Sequence, residues 1–177
     1  MPNPNCIEGK ELMLSSQALA ELMRGTLTKG FSFRFTAKGI SMAPFIKDGD
    51  VLTMHQQPDG QSLRPGLVVA FVNPQTERLA VHRVIGRSGP RYLIKGDNAL
   101  ENDGFIKKED ILGYVWKIER DGRRISFGLG SERGIILFLS RFNLLHGIIS
   151  LWRIFPFSAR KMLLRSLEFL LLVTRDN

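Results

Sequence analysis

Between residues 31 and 36 the chain alternates strictly: Phe31, Phe33 and Phe35 are apolar, while Ser32, Arg34 and Thr36 are polar. A period of two marks a strand with one buried face. Short apolar runs follow at Val51–Met54, Leu67–Val72, Leu79–Ile85 and Tyr92–Ile94. Turn-forming residues separate them, among them Pro58-Asp59-Gly60, Pro65-Gly66 and Ser88-Gly89-Pro90. Tyr114–Glu119 and Arg123–Phe127 flank Asp121-Gly122, a strong hairpin signal. Many short strands at close spacing predict a compact β-barrel-like or sandwich-like domain.

The pattern differs on either side of this region. Upstream, Ala18, Leu19, Leu22 and Met23 form a helical stripe that Ser15 or Ser16 caps and Gly30 stops. Downstream of residue 128 the spacing turns helical, with interruptions at Gly147 and Pro156. After Pro156, residues Arg160, Lys161, Arg165 and Glu168 fall within a roughly 140° arc, with Met162, Leu163, Leu167, Phe169, Leu170 and Leu171 mostly outside it. The expected organisation is a leader and helix over 1–30, a β-rich domain over 31–128 and a basic apolar helical region over 129–177. The fold class is therefore mainly β, an antiparallel domain with an N-terminal helix and C-terminal amphipathic helices.

Composition narrows the partners. The 177 residues are 44% hydrophobic and 24% charged, ordinary for a folded chain, and carry a net charge of +8. Residues 131–177 hold seven Lys/Arg against three Asp/Glu, half of the surplus in the most apolar quarter. A basic amphipathic segment of that kind reads either as a helix packed on the core with a solvated face or as one lying on an anionic membrane surface, and its many large apolar residues, more than so small a β core can cover, favour the membrane. The longest uncharged stretch there, Phe142–Trp152, is eleven residues. It would reach only about 17 Å as a helix, short of a ~30 Å hydrocarbon core. Residues 1–12 include Glu8, Lys10 and Glu11 and lack an apolar run, so no secretory signal is expected in them. The single cysteine, Cys6, excludes an intramolecular disulfide and leaves the redox compartment open.

Two constellations carry candidate chemistry. In Lys38-Gly39-Ile40-Ser41-Met42-Ala43-Pro44, followed by Asp48-Gly49-Asp50, a serine follows a strand beside a glycine and just before a proline. Gly39 permits unusual backbone angles and close approach of a substrate backbone, and Pro44 stiffens the turn. A nucleophilic serine needs such a fixed, exposed position with backbone N–H groups nearby. A serine in such a turn is by itself more often a plain turn residue. The second constellation, Val81-His82-Arg83-Val84-Ile85, sets a histidine in an apolar strand, where a structural role is the commoner one. Paired with a serine it becomes a general base with a suitable unperturbed pKa. His55 lies in a polar stretch and His146 in the apolar C-terminal part, so His82 is the preferred base. A third block, Lys95-Gly96-Asp97-Asn98, and Asp103 beyond it offer two carboxylates to orient the imidazole. Spacing alone reads both as turn or loop residues.

Together the three blocks, in this order, resemble the S24/S26 serine peptidase group, which includes type I signal peptidases and LexA-like self-cleaving repressors. The likeness covers about residues 33–118. Histidine before Arg83, where most bacterial members have lysine, is similar to the archaeal and endoplasmic-reticulum signal peptidases. The resemblance implies Ser41 as nucleophile, His82 as base, and Asp97 and Asp103 as the two candidate acids. It places Gly39, Met42 and Pro44 around the substrate and oxyanion, and implies no cofactor. Gly39 stands where signal peptidases carry a serine, so backbone N–H groups are expected to bind the oxyanion. The implied function is a membrane-associated signal-peptidase-like endopeptidase that cleaves a leader from a precursor protein or peptide. A LexA-like regulator that cleaves itself or binds DNA is the alternative, but no DNA-reading helix pair precedes the β region, so no nucleic-acid partner is expected. A non-catalytic membrane-associated binding module is the third reading.

Overall fold

The computed structural model describes residues 15–57, 61–130, 132–142, 144 and 147. The Pro58-Asp59-Gly60 turn, Cys6, His146 and the basic amphipathic segment after Pro156 lie outside the described residues.

The chain opens with helix α1 (Ser16–Leu27). Ser15 caps it, its hydroxyl accepting from the Ala18 N–H at 3.2 Å. Eight strands follow: β1 (Phe33–Thr36), β2 (Val51–His55), β3 (Val68–Val72), β4 (Leu79–Ser88), β5 (Arg91–Lys95), β6 (Gly104–Lys107), β7 (Ile111–Arg120) and β8 (Arg123–Ile125). Among the described residues a further helix, α2 (Arg133–Arg141), follows β8. The strands form one antiparallel sheet in the order β1-β2-β7-β3-β4-β5-β6, with β8 paired to β7. This is the mainly β architecture expected from the pattern.

Local chemistry accounts for most of these elements. Asp121 and Gly122 take φ values of 50° and 72°, the paired left-handed conformation of a tight hairpin, and Arg120 pairs with Arg123 across the turn. Strand β3 is buried on both faces, which is why it reads as an unbroken apolar run. Val68 and Ala70 enter one core cluster with Leu52, Met54, Val115 and Ile118, against the α1 residues Ala20, Met23 and Leu27. Val69 and Phe71 enter a second with Val84, Tyr92, Ile94 and Ile106. Strand β6 was not anticipated from the pattern. Its two apolar residues, Phe105 and Ile106, are too few to show a period, and it forms because β5 offers an edge that pairs Leu93 with Phe105.

The adjacent strands β2 and β7 are tied by charge at the end nearest the Ser41 segment. Asp50, just before β2, is buried and receives two bonds from Arg120 at the end of β7, at 2.8 and 2.7 Å. Its carboxylate also accepts from the Lys47 N–H at 2.8 Å. Burial pushes the Asp50 carboxyl up, but the Arg120 and Lys47 contacts outweigh it and hold the pKa below the ordinary 3.8. A lowered folded-state pKa means that the unfolded chain binds the proton more readily, so this contribution is complete above about pH 3.8 and is lost as the pH falls through the folded value. Asp50→Asn should therefore lower the melting temperature at pH 6. The gap to wild type should narrow as the pH falls below about 4, measured by circular dichroism melts across pH 3–6.

Candidate active site

The segment between β1 and β2 carries Ser41 on an exposed turn. Gly39 enters it with φ 94°, a conformation that a side chain would strain, and its N–H donates to Asp48 Oδ1 at 2.7 Å. The Ala43 N–H closes the turn onto the Ile40 carbonyl at 3.1 Å. Beyond it, the Ala43–Pro44 peptide is cis.

The loop from β5 to β6 clasps this turn. The Asn98 N–H donates to the Ser41 carbonyl at 2.7 Å, and the Asn98 side-chain amide to the Ile40 carbonyl at 3.2 Å. The loop then returns to the sheet, where the Asp103 N–H donates to the Ile94 carbonyl at 2.9 Å. Gly96 makes this approach possible. A Cβ there would stand 2.8 Å from the Ser41 carbonyl oxygen and 3.2 Å from His82 Nε2, closer than packed atoms sit. The fit of Gly96 was not visible in the sequence, where it reads only as part of a turn.

His82 sits mid-strand in β4 and joins the two loops. Its Nε2 is 2.8 Å from Ser41 Oγ, and its Nδ1 is 2.7 Å from Asp103 Oδ2. An ionised carboxylate only accepts, so Nδ1 carries the proton and Nε2 faces the serine hydroxyl as an acceptor. The His82 and Asp103 side chains are 13% and 17% exposed, open on the serine side but largely shielded. Asp103, His82 and Ser41 thus form one continuous hydrogen-bonded line. His55 lies elsewhere, its ring against Tyr114 and Trp116 at 6.3 and 5.6 Å.

Asp97, the other acid candidate, is directed away from His82. It grips Arg83, whose Nε and Nη2 donate to its carboxylate at 2.8 and 2.7 Å. Both side chains are 0% exposed. Arg83 Nη1 donates to the carbonyls of Gly66 and Gly128 at 2.8 and 3.0 Å, and its guanidinium lies over the Phe45 ring. Neighbouring residues of a strand point to opposite faces, so His82 and Arg83 are served by different carboxylates. Lys95 is buried next to this pair, its Nζ donating to the Ser140 carbonyl of α2 at 3.2 Å. Burial pulls the Lys95 pKa down, against the opposing pull of Asp97. Glu132, at the head of α2, accepts from the N–H groups of Gly128 and Gly130 at 2.6 and 2.9 Å.

Ser41 and His82 line a cleft of about 370 Å³. Gly39 and Met42 line it too, whereas Pro44, grouped with them in the sequence, is exposed and is not part of its wall. Met42 is buried and its sulfur accepts from the Asp97 N–H at 3.4 Å. Strand edges border the cleft on two sides, at Thr36 and Lys38 of the β1 segment and at Leu79 and Val81 of β4. Among the described residues, no three His, Cys, Asp or Glu side chains gather as a metal-binding group. No protein-family model matches this chain, and no curated protein sequence matches it either.

The two acids should separate experimentally. Asp97→Ala leaves a buried guanidinium without its carboxylate and should destabilise the fold by about 3–5 kcal/mol. Asp103→Ala, which leaves no buried guanidinium unpaired, should cost much less. Urea denaturation of both variants checks the ranking.

Proposed function

We propose that the protein is a serine endopeptidase in which Ser41 is the nucleophile, His82 the general base and Asp103 the residue that orients His82. The observation that carries this reading is the hydrogen-bonded line Asp103–His82–Ser41, with contacts of 2.7 and 2.8 Å, at the wall of a peptide-sized cleft. In the reaction, Ser41 Oγ attacks the scissile carbonyl while His82 Nε2 takes its proton. Asp103 stabilises the imidazolium that forms. The tetrahedral intermediate collapses as His82 returns the proton to the leaving amine, giving an acyl-enzyme. Water, deprotonated by His82, then releases the acyl product. The N–H groups of Gly39 and Ala43 are engaged by Asp48 and Ile40, so the N–H groups of the turn left to bind the oxyanion are those of Ile40, Ser41 and Met42.

The cleft suits an extended polypeptide. The Asn73 N–H bonds the Arg78 carbonyl and the Val84 N–H bonds the Leu67 carbonyl, so even-numbered residues of β4 turn their amides toward β3. Leu79 and Val81 therefore turn theirs toward the cleft. By the same alternation Ala37 faces β2 through Asp50 and Gly49, which turns Thr36 and Lys38 outward. A substrate strand laid between these edges is recognised through its main chain. Taken with the signal-peptidase-like order of blocks over residues 33–118, the substrate class is a leader-bearing precursor protein. Ser41→Ala and His82→Ala should each lower kcat by about a million-fold, and Asp103→Asn by on the order of ten-thousand-fold. Mass spectrometry of a panel of leader-bearing precursors incubated with the purified full chain reads the outcome. Cleavage that survives both Ser41→Ala and His82→Ala would overturn the mechanism.

The same reading puts the protein at an anionic membrane surface. On α2, Ile135, Phe138 and Phe142 are all exposed and, at 100° per residue, share one face. The Phe138 and Phe142 rings lie 4.9 Å apart, and Arg133 and Arg141 stand at the ends of the helix. Apolar stripe and flanking arginines are the chemistry of an interfacial helix, and the chain beyond continues in the same basic, apolar style. Among the described residues no helix is long and apolar enough to cross a membrane. The full chain should co-sediment with vesicles containing anionic lipid and less with zwitterionic ones, and salt should weaken the difference. The double variant Phe138→Ser/Phe142→Ser should bind about tenfold less tightly or worse.

A further inference from the structure

The cleft has a wall that the catalytic chemistry does not use. Helix α1 packs on both β1 and β4, the two strands whose edges border the cleft. The helix face that buries Ala20, Met23 and Leu27 carries Ser16 one turn before Ala20 and Leu19 one turn before Met23, and both line the cleft. Ser16 Oγ accepts from the Leu79 N–H at 2.6 Å, so the hydroxyl occupies the amide of β4 that a substrate strand would otherwise reach next. Its own proton remains to donate to a peptide carbonyl. Leu19 is half-buried beside it.

Position along the strand sets what α1 touches. From His82 to Leu79 is three residues, about 10 Å of extended chain at ~3.3 Å each. A peptide whose scissile bond lies at Ser41 and which runs along β4 therefore meets α1 at its third or fourth residue from the cut. We propose that Ser16 and Leu19 of α1 are specificity-determining residues, forming the end wall that reads the third or fourth substrate residue from the scissile bond. This rests on the peptidase reading above. Leu19 sets the size of the side chain accepted there, and Ser16 supplies a hydrogen-bond donor to the substrate backbone where the β4 edge stops. The substrate class is thus an extended segment read over three to four residues on that side, after which the chain must leave the groove.

The test uses the full-length protein in detergent with a positional-scanning peptide library built around one cleaved precursor sequence, with kcat/KM read by mass spectrometry. Leu19→Ala should favour larger residues at the third or fourth position by about tenfold or more, and Leu19→Trp should shift the preference to small ones. The ranking at all other positions should be kept. Ser16→Ala should lower kcat/KM by roughly tenfold for every peptide without changing the side-chain ranking. An unchanged ranking in both Leu19 variants, with cleavage still abolished by Ser41→Ala, would overturn the end wall and leave the peptidase reading standing. A uniform loss across all peptides in the Leu19 variants would mark α1 as merely structural and also overturn it. A library cut by no form of the protein would remove both readings together.

Discussion

Arg83 is the hub on which the rest of the structure depends. A guanidinium with no solvent exposure is tolerated only where its donors are satisfied and its charge is matched. Here Asp97 takes two donors, the Gly66 and Gly128 carbonyls take another, and Phe45 covers its face. Those partners come from the β5–β6 loop, the start of the β3 segment, the approach to α2 and the turn after Ser41. One side chain therefore draws four separate stretches of chain onto β4. Because His82 is the preceding residue, fixing Arg83 from one face of the strand also fixes the imidazole on the other.

The second support lies in the β5–β6 loop, which serves two purposes with a few residues. Through Gly96 and Asn98 it lies against the Ser41 turn, and through Asp103 it reaches the imidazole. Ser41 and Asp103 are thus held by the same eight-residue excursion, from opposite ends. A change that loosens this loop moves both relative to His82. Asp50 and Arg120 hold the Ser41 turn from the other side, by anchoring the chain as it leaves for β2. In the proposed reaction this rigidity fixes the base 2.8 Å from its serine before substrate arrives.

The same construction sets the walls of the cleft. The Ser41 turn, with Met42 and Gly39, forms its inner wall, and the edges of β1 and β4 form its sides. Helix α1 fills the gap between those strands further along, with the Ser16 hydroxyl taking the place of a strand partner for Leu79. Core packing of Ala20, Met23 and Leu27 leaves α1 little freedom to move away, so the length of the groove is set by the hydrophobic core beneath it.

Much of this was legible in the chain itself. Alternation at Phe33–Thr36, the apolar run of β3 and the left-handed pair Asp121-Gly122 are local signals, since side-chain period and turn angles are decided within a few residues. The Ser15 cap of α1 is local in the same way. Residue chemistry also singled out Ser41 and His82, because few side chains can act as a nucleophile and a neutral-pH base. The choice between the two carboxylates was not local. Asp97 and Asp103 are both acids in a turn-rich loop, and only the path of that loop across the face of β4 sends one to Arg83 and the other to His82. Strand β6 depends on the edge that β5 offers, and the need for glycine at position 96 arises from a carbonyl and an imidazole brought there from other parts of the chain. The sequence by itself determined the strands other than β6, the helix start and the reactive residue types, because those follow from short-range periodicity and functional-group chemistry. The tertiary structure alone decided the pairing of charges and the shape of the cleft, because both are set by long-range packing that brings together residues far apart in the chain.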